Sequence, residues 1–110
     1  MQIEVSTDSS IEGREQFKAH IEGVVEAALE RFSKRITRVE VHLSDVNGHK
    51  GGHDDTRCVM EVRLEGRPPV AVTSQAASVD LAVTDAAGKL KRLVESTLGR
   101  ASSLAGHRDH

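Results

Sequence analysis

The side chains able to do chemistry gather in three places, two of them cationic. Lys89, Lys91 and Arg92 stand close together, as do Arg31, Lys34, Arg35 and Arg38. Lys89 and Arg92 are three residues apart, so on a helix they share one face. Both can hold a phosphate, Arg92 through two parallel N–H donors. The same spacing suits an ordinary solvated face, with Asp85 and Lys89 forming an i,i+4 ion pair. The group from Arg31 to Arg38 has two comparable roles. It is either a phosphate surface or a set of cations complementing the negative end of a helix, at roughly 0.3–1 kcal/mol per charge. The third place is the glycine-rich stretch bearing His49, His53, Asp54 and Asp55, with His107 and His110 far along the chain. These are metal-ligand types, but a metal site needs ligands held by hydrogen-bonded partners on ordered backbone. So many glycines do not supply that. We expect no metal, with His49 and His53 the weak candidates.

Catalysis is not expected either. Cys58 falls on the apolar side of an alternating stretch, where a thiol packs; a reactive thiolate needs an exposed, electropositive setting. The chain shows no Ser-His-Asp order and no carboxylate pair in an apolar context. Gly48, Gly51 and Gly52 lack the strand–loop–helix context of a phosphate-cradling loop. No enzyme activity, cofactor or small-molecule substrate is expected. Phe17 and Phe32 are the only aromatic residues, which disfavours binding of single strands by stacking on aromatic rings.

These groups need elements to position them. The chain has 110 residues, 37% hydrophobic and 29% charged, which suits one globular domain with an aliphatic core. Ile3 and Val5 alternate with Gln2, Glu4 and Ser6, the period of a half-buried strand. Between Glu12 and Arg35 the period changes: Phe17, Ile21, Val24, Val25, Ala28 and Phe32 form one helical stripe. Alternation returns from Ile36 to Val46, with Val39, Val41 and Leu43 inward and Arg38, Glu40, His42 and Ser44 outward. After the polar loop from Asn47 to Asp55, a third strand runs from Arg57 to Glu65. Gly66-Arg67-Pro68-Pro69 is a tight turn, and Val70 to Ser74 a short last strand. Ser78 is a predicted N-cap for a second helix with Asp80 in its first turn and Gly99 as its terminator. Its buried stripe is Val79, Val83, Ala86, Ala87, Leu90, Val94 and Leu98.

The order β-α-β-β-β-α predicts an α+β domain over residues 1–99, a four-stranded sheet with both helices packed on one face. Residues 100–110 are expected to be a flexible polar tail. The opening residues show no basic leader or apolar run of a signal peptide, and nothing approaches the roughly 20 apolar residues needed to span a bilayer. A single cysteine fits a reducing compartment. Cytoplasmic placement, away from any membrane, is expected. The formal net charge of −2 hides an asymmetry: residues 89–110 carry five Lys or Arg against two acids, leaving −5 on the remainder. A cationic end on an acidic domain marks a polyanion-facing surface or merely the basic preference of helix C-termini.

Several fragments carry a resemblance. They are Met1-Gln2-Ile3-Glu4-Val5, the passage from Leu29 to Val41, Val72-Thr73-Ser74-Gln75-Ala76-Ala77-Ser78-Val79, and Lys89-Leu90-Lys91-Arg92. Together with the element order, over roughly residues 1–100, they resemble the ribosome hibernation promoting factor and ribosomal subunit interface protein family (the sigma-54 modulation protein family) in its short form. The resemblance implies a protein that binds the rRNA channel of the small ribosomal subunit and inhibits translation during hibernation or stress. It places basic contacts at Arg35, Lys89 and Arg92, with Lys91, Arg31, Lys34 and Arg38 added on charge alone. Such contacts go to the phosphate backbone and position a protein without reading sequence. Departures are the run Leu93 to Arg100, less basic than in the family, the Ser78 and Asp80 positions, and the longer histidine-bearing loop. The resemblance is to short members, so the extra C-terminal domain with which long members pair ribosomes is not expected. The alternative is a protein-interaction or regulatory domain of the same fold without ribosome affinity.

Overall fold

The computed structural model describes residues 1–7, 14–46 and 55–106, with side chains at 1–7, 18–46 and 55–99. Strand β1 (Gln2–Thr7) leads into helix α1 (Arg14–Leu29), whose last turns tighten into a 3-10 segment, Glu30–Arg35. Strands β2 (Ile36–Val46), β3 (Asp55–Leu64) and β4 (Val70–Ala76) follow, then helix α2 (Val79–Gly106). The sheet order is β1-β2-β3-β4, with β1 parallel to β2 and the other pairs antiparallel. The parallel pair is possible because α1 supplies the long crossover such a pair requires.

Alternation decides which side chains meet the helices. Val39, Val41 and Leu43 of β2 and Cys58, Met60, Val62 and Leu64 of β3 are buried. They meet Ile21, Val25 and Leu29 of α1 and Ala82, Val83, Ala86, Leu90 and Val94 of α2. Both helices therefore lie on one face, as their single apolar stripes require. Ser78 caps α2: its hydroxyl accepts the Leu81 amide at 3.2 Å, and its carbonyl the Ala82 amide at 3.0 Å. Gly66 turns β3 toward β4 with φ of 73°, a conformation that a Cβ disfavours.

The first helix does not reach Arg35 as an α-helix. The 3-10 segment packs Phe32 only partly against the core and passes directly into β2, with the Ile36 amide bonded to the Ser33 carbonyl. Such tightening satisfies carbonyls that an α-helix end leaves open. β3 opens at Asp55 and β4 reaches Ala76, because backbone pairing of Val46 with Asp55 and Thr56 with Ala76 outlasts the apolar alternation. The predicted stop at Gly99 is corrected: α2 runs through Gly99 to Gly106. A glycine permits an end without enforcing one, and no proline follows. Residues 107–110 lie outside the described residues.

A Cβ at Gly99 would meet nothing within 4 Å. Gly99→Ala should raise unfolding stability by about 0.5–1 kcal/mol, since alanine suits a helix interior better. Gly66→Ala should lower it, because φ there is positive. Urea melts of the two variants check both signs; a loss of stability at Gly99 would mean that the helix ends there.

Candidate nucleic-acid interface

Helix α2 offers two solvent flanks, and successive residues turn about 100° around its axis. Asp85, Lys89 and Arg92 fall on the flank beside β4. Lys91 and Glu95, one turn apart, fall on the flank beside α1 and the 3-10 segment. Lys91 therefore does not share a face with Lys89.

The β4 flank is organised by a buried hydroxyl. Ser74 occupies an inward position of β4 that is otherwise apolar, and is only 3% exposed. Its hydroxyl donates to Asp85 Oδ2 on α2. The ammonium of Lys89 lies 3.6 Å from that same Oδ2 and donates to the Thr73 carbonyl at 3.0 Å. The Ser74 hydrogen bond, helped by the charges of Lys89 and Arg92, holds the Asp85 carboxyl below its ordinary value against an opposing desolvation. The i,i+4 pair expected from spacing is thus present, embedded in a four-residue clamp between helix and strand. Arg92 is exposed beside it.

On the other flank, the Arg31 guanidinium sits 5.3 Å from the centre of the Phe32 ring, and its Nη1 lies 3.3 Å from Glu95 Oε2. Arg31, Phe32, Arg35, Glu95, Leu98 and Gly99 line one depression of about 490 Å³. Lys34 and Arg35 are exposed on the 3-10 segment. Nearer the start of α2, His20 Nε2 meets Asp80 Oδ1 at 2.9 Å and ties the helices together.

Arg38 separates from the cluster in which the sequence places it. It projects from the outer face of the sheet, where Glu4 and Glu40 stand directly opposite one another and Glu40 opposite Glu61. Like charges so placed repel. Arg38 Nη2 donates to Glu4 Oε1 at 2.6 Å, and its Nε lies 3.0 Å from Glu40 Oε2 without hydrogen-bond alignment. His42 Nε2 is 3.4 Å from Glu40 Oε1. The sheet thus uses Arg38 to hold its carboxylates together.

The thiol of Cys58 is buried, and burial pushes its pKa up to about 12, the reverse of a nucleophile's setting. His49, His53 and Asp54 lie outside the described residues, as do His107 and His110. Asp55 accepts a hydrogen bond from the Gln75 amide at 3.2 Å. Among the described residues no group of three His, Cys, Asp or Glu side chains is placed to hold a metal ion, and no helix is long and apolar enough to cross a membrane.

Residues 3–101 match the family described as sigma 54 modulation protein / S30EA ribosomal protein. The chain belongs to this family. Among solved structures it is similar to the Protein Y N-terminal domain of Thermus thermophilus, at 22% identity and a TM-score of 0.69, over 88% of this chain and 99% of that one. It is also similar to a ribosomal subunit interface protein from Coxiella burnetii, at 13% identity and a TM-score of 0.66, over 90% of this chain and 99% of that one. No curated protein matches the chain. In this member of the S30EA family the candidate cations lie on α2 and on the 3-10 segment beside it, with Asp85 and Glu95 among them. Sequence reading had no signal for Ser74 or Glu95 as partners: they meet Asp85 and Arg31 only through tertiary packing.

The clamp has a pH signature. A carboxyl whose pKa is lower folded than unfolded stabilises the fold above the unfolded value, near 3.9, and loses that contribution as pH falls through the folded value. Wild-type stability should therefore fall with acid below about pH 4 more steeply than that of Asp85→Asn, which cannot titrate. Urea midpoints from pH 2 to pH 6 check this, and parallel curves would remove Asp85 from the acid response.

Proposed function

We propose that this chain is a ribosome-associated translation regulator of the hibernation type. It binds rRNA in the small-subunit channel and blocks translation by occupying it, with no cofactor. The observation that supports this most is the gathering of cations along both flanks of well-packed α2, Lys89 and Arg92 on its β4 side and Lys91 on the other, where Arg31 and Arg35 of the neighbouring 3-10 segment stand beside the helix. Lys34 adds to the second surface, whereas Arg38 is engaged by Glu4 and Glu40 and contributes least. A rigid element holding cations at fixed spacing fits a phosphate backbone and requires no base-specific contact. The family's description names a ribosomal protein, and one structural relative is titled a ribosomal subunit interface protein; both favour the ribosome as partner. Cytoplasmic placement follows from that partner.

Asp85 and Glu95 set the terms of binding. Each already engages a candidate cation, so a phosphate must compete with a carboxylate for Lys89 and for Arg31. Exposed pairs of this kind contribute at most about 1 kcal/mol, well within what a polyanion offers in exchange. The same two acids favour the second reading, a protein-interaction domain of this fold without ribosome affinity.

Sedimentation of the protein with ribosomes and isolated small subunits through sucrose separates the two. At about 50 mM salt the protein should co-sediment, and at about 200 mM most of it should be released, as counterion release requires. Lys89→Gln with Arg92→Gln should weaken binding and flatten the slope of log K against log salt by about 0.7–0.9 for each phosphate no longer neutralised. Charge reversal at both positions should abolish it. No co-sedimentation of the wild type at low salt would leave the protein-interaction reading in its place.

A further inference from the structure

The depression between the 3-10 segment and the C-terminal half of α2 has contents that phosphate contact alone does not use. Arg31, Phe32 and Arg35 form one wall, and Glu95, Leu98 and Gly99 the other. Its volume of about 490 Å³ lies within the range of small-ligand sites. The absence of a side chain at Gly99 keeps one side open, since even a Cβ there would meet nothing within 4 Å.

We infer that this depression is a subsite for one unstacked guanine nucleotide of single-stranded RNA. The inference rests on the ribosome reading for the polymer that supplies the nucleotide, but its chemistry is that of the depression itself. Phe32 and the Arg31 guanidinium already stack, 5.3 Å apart from centre to centroid, and a base can extend that stack on the guanidinium plane. Arg35 is exposed at the rim, where a nucleotide's phosphate would lie, and can hold it bidentately. Glu95 selects the base. Its Oε2 is engaged by Arg31, and a carboxylate has acceptor sites to spare on both oxygens. Guanine presents adjacent N1–H and N2–H donors that fit one carboxylate. Adenine sets its N1 acceptor against the carboxylate, and uracil offers a single N3–H donor flanked by two carbonyl acceptors that repel it. An acidic peptide, the other polyanion of similar size, would bring its carboxylates against Glu95.

The test titrates the whole protein with the pentanucleotides UUGUU, UUAUU and UUUUU, following backbone amide resonances by NMR. UUGUU should move the Phe32 and Gly99 amides and bind about tenfold more tightly than UUAUU, the scale of one bidentate base contact. Glu95→Gln should erase that preference without weakening UUUUU. Gly99→Leu, which favours the helix and so retains the fold, should block the depression while leaving shifts around Lys89 and Arg92 intact. Equal affinity for the three RNAs overturns the subsite. So does movement of the same amides by inorganic phosphate alone or by a glutamate pentapeptide as strongly as by UUGUU. Ribosome co-sedimentation keeps the two readings apart. Binding to ribosomes with no guanine preference sinks the subsite and leaves the ribosome reading. A guanine preference without ribosome binding supports the subsite and removes the ribosome as its source.

Discussion

The clamp on the β4 flank depends on how close α2 lies to the sheet. The stripe that it presents is small: Ala82, Ala86 and Ala87 are buried alongside Val83, Leu90 and Val94. Alanines lose no side-chain entropy on burial and let a helix approach a sheet more closely than a row of leucines would. The chain has no Trp or Tyr, and Phe32 packs only partly against the core. At this separation a short aspartate on the flank of α2 reaches a serine under its edge, and a lysine reaches a strand carbonyl. Interiors are close-packed, so a bulkier residue in the stripe would displace the helix and uncouple these bonds together.

With a net charge of −2, the domain could meet a polyanion only through local charge, not long-range attraction. It concentrates cations locally and keeps a carboxylate beside them. Asp85 holds Lys89 against β4, and Glu95 holds Arg31 against α2. The free protein thereby avoids the mutual repulsion of bare cations on one helix, and its long side chains are partly ordered before any partner arrives. Under the proposed rRNA binding, association would exchange carboxylate for phosphate. The outer face of the sheet uses charge differently: Arg38 stands between Glu4 and Glu40 and neutralises them within the sheet.

Strand alternation and helix periodicity made the layers legible, down to both limits of β2 and the Ser78 cap. Limits set by backbone pairing were not legible, because Asp55 and Ala76 join their strands through main-chain bonds that are indifferent to side-chain type. Gly99 misled for a related reason: its chemistry allows a helix to stop or to continue. The Asp85–Lys89 pair lies within one turn and could be read directly. The Ser74–Asp85 and Arg31–Glu95 bonds join residues 11 and 64 apart, and nothing local announces them. Arg38 was grouped with its neighbours along the chain, although its own alternation in β2 already assigned it to the opposite face.

The bond between Lys89 and Thr73 matters beyond any ligand. β4 has a neighbour on one side only, so its other side offers main-chain groups to any passing strand. An ammonium donating to a carbonyl of that strand occupies one acceptor and sets a hydrated charge along the border of the sheet. A second molecule attempting to extend the sheet there would have to strip water from a cation and break its bond. Lys89 at this place therefore disfavours edge-to-edge pairing of the sheet, whatever else its charge does.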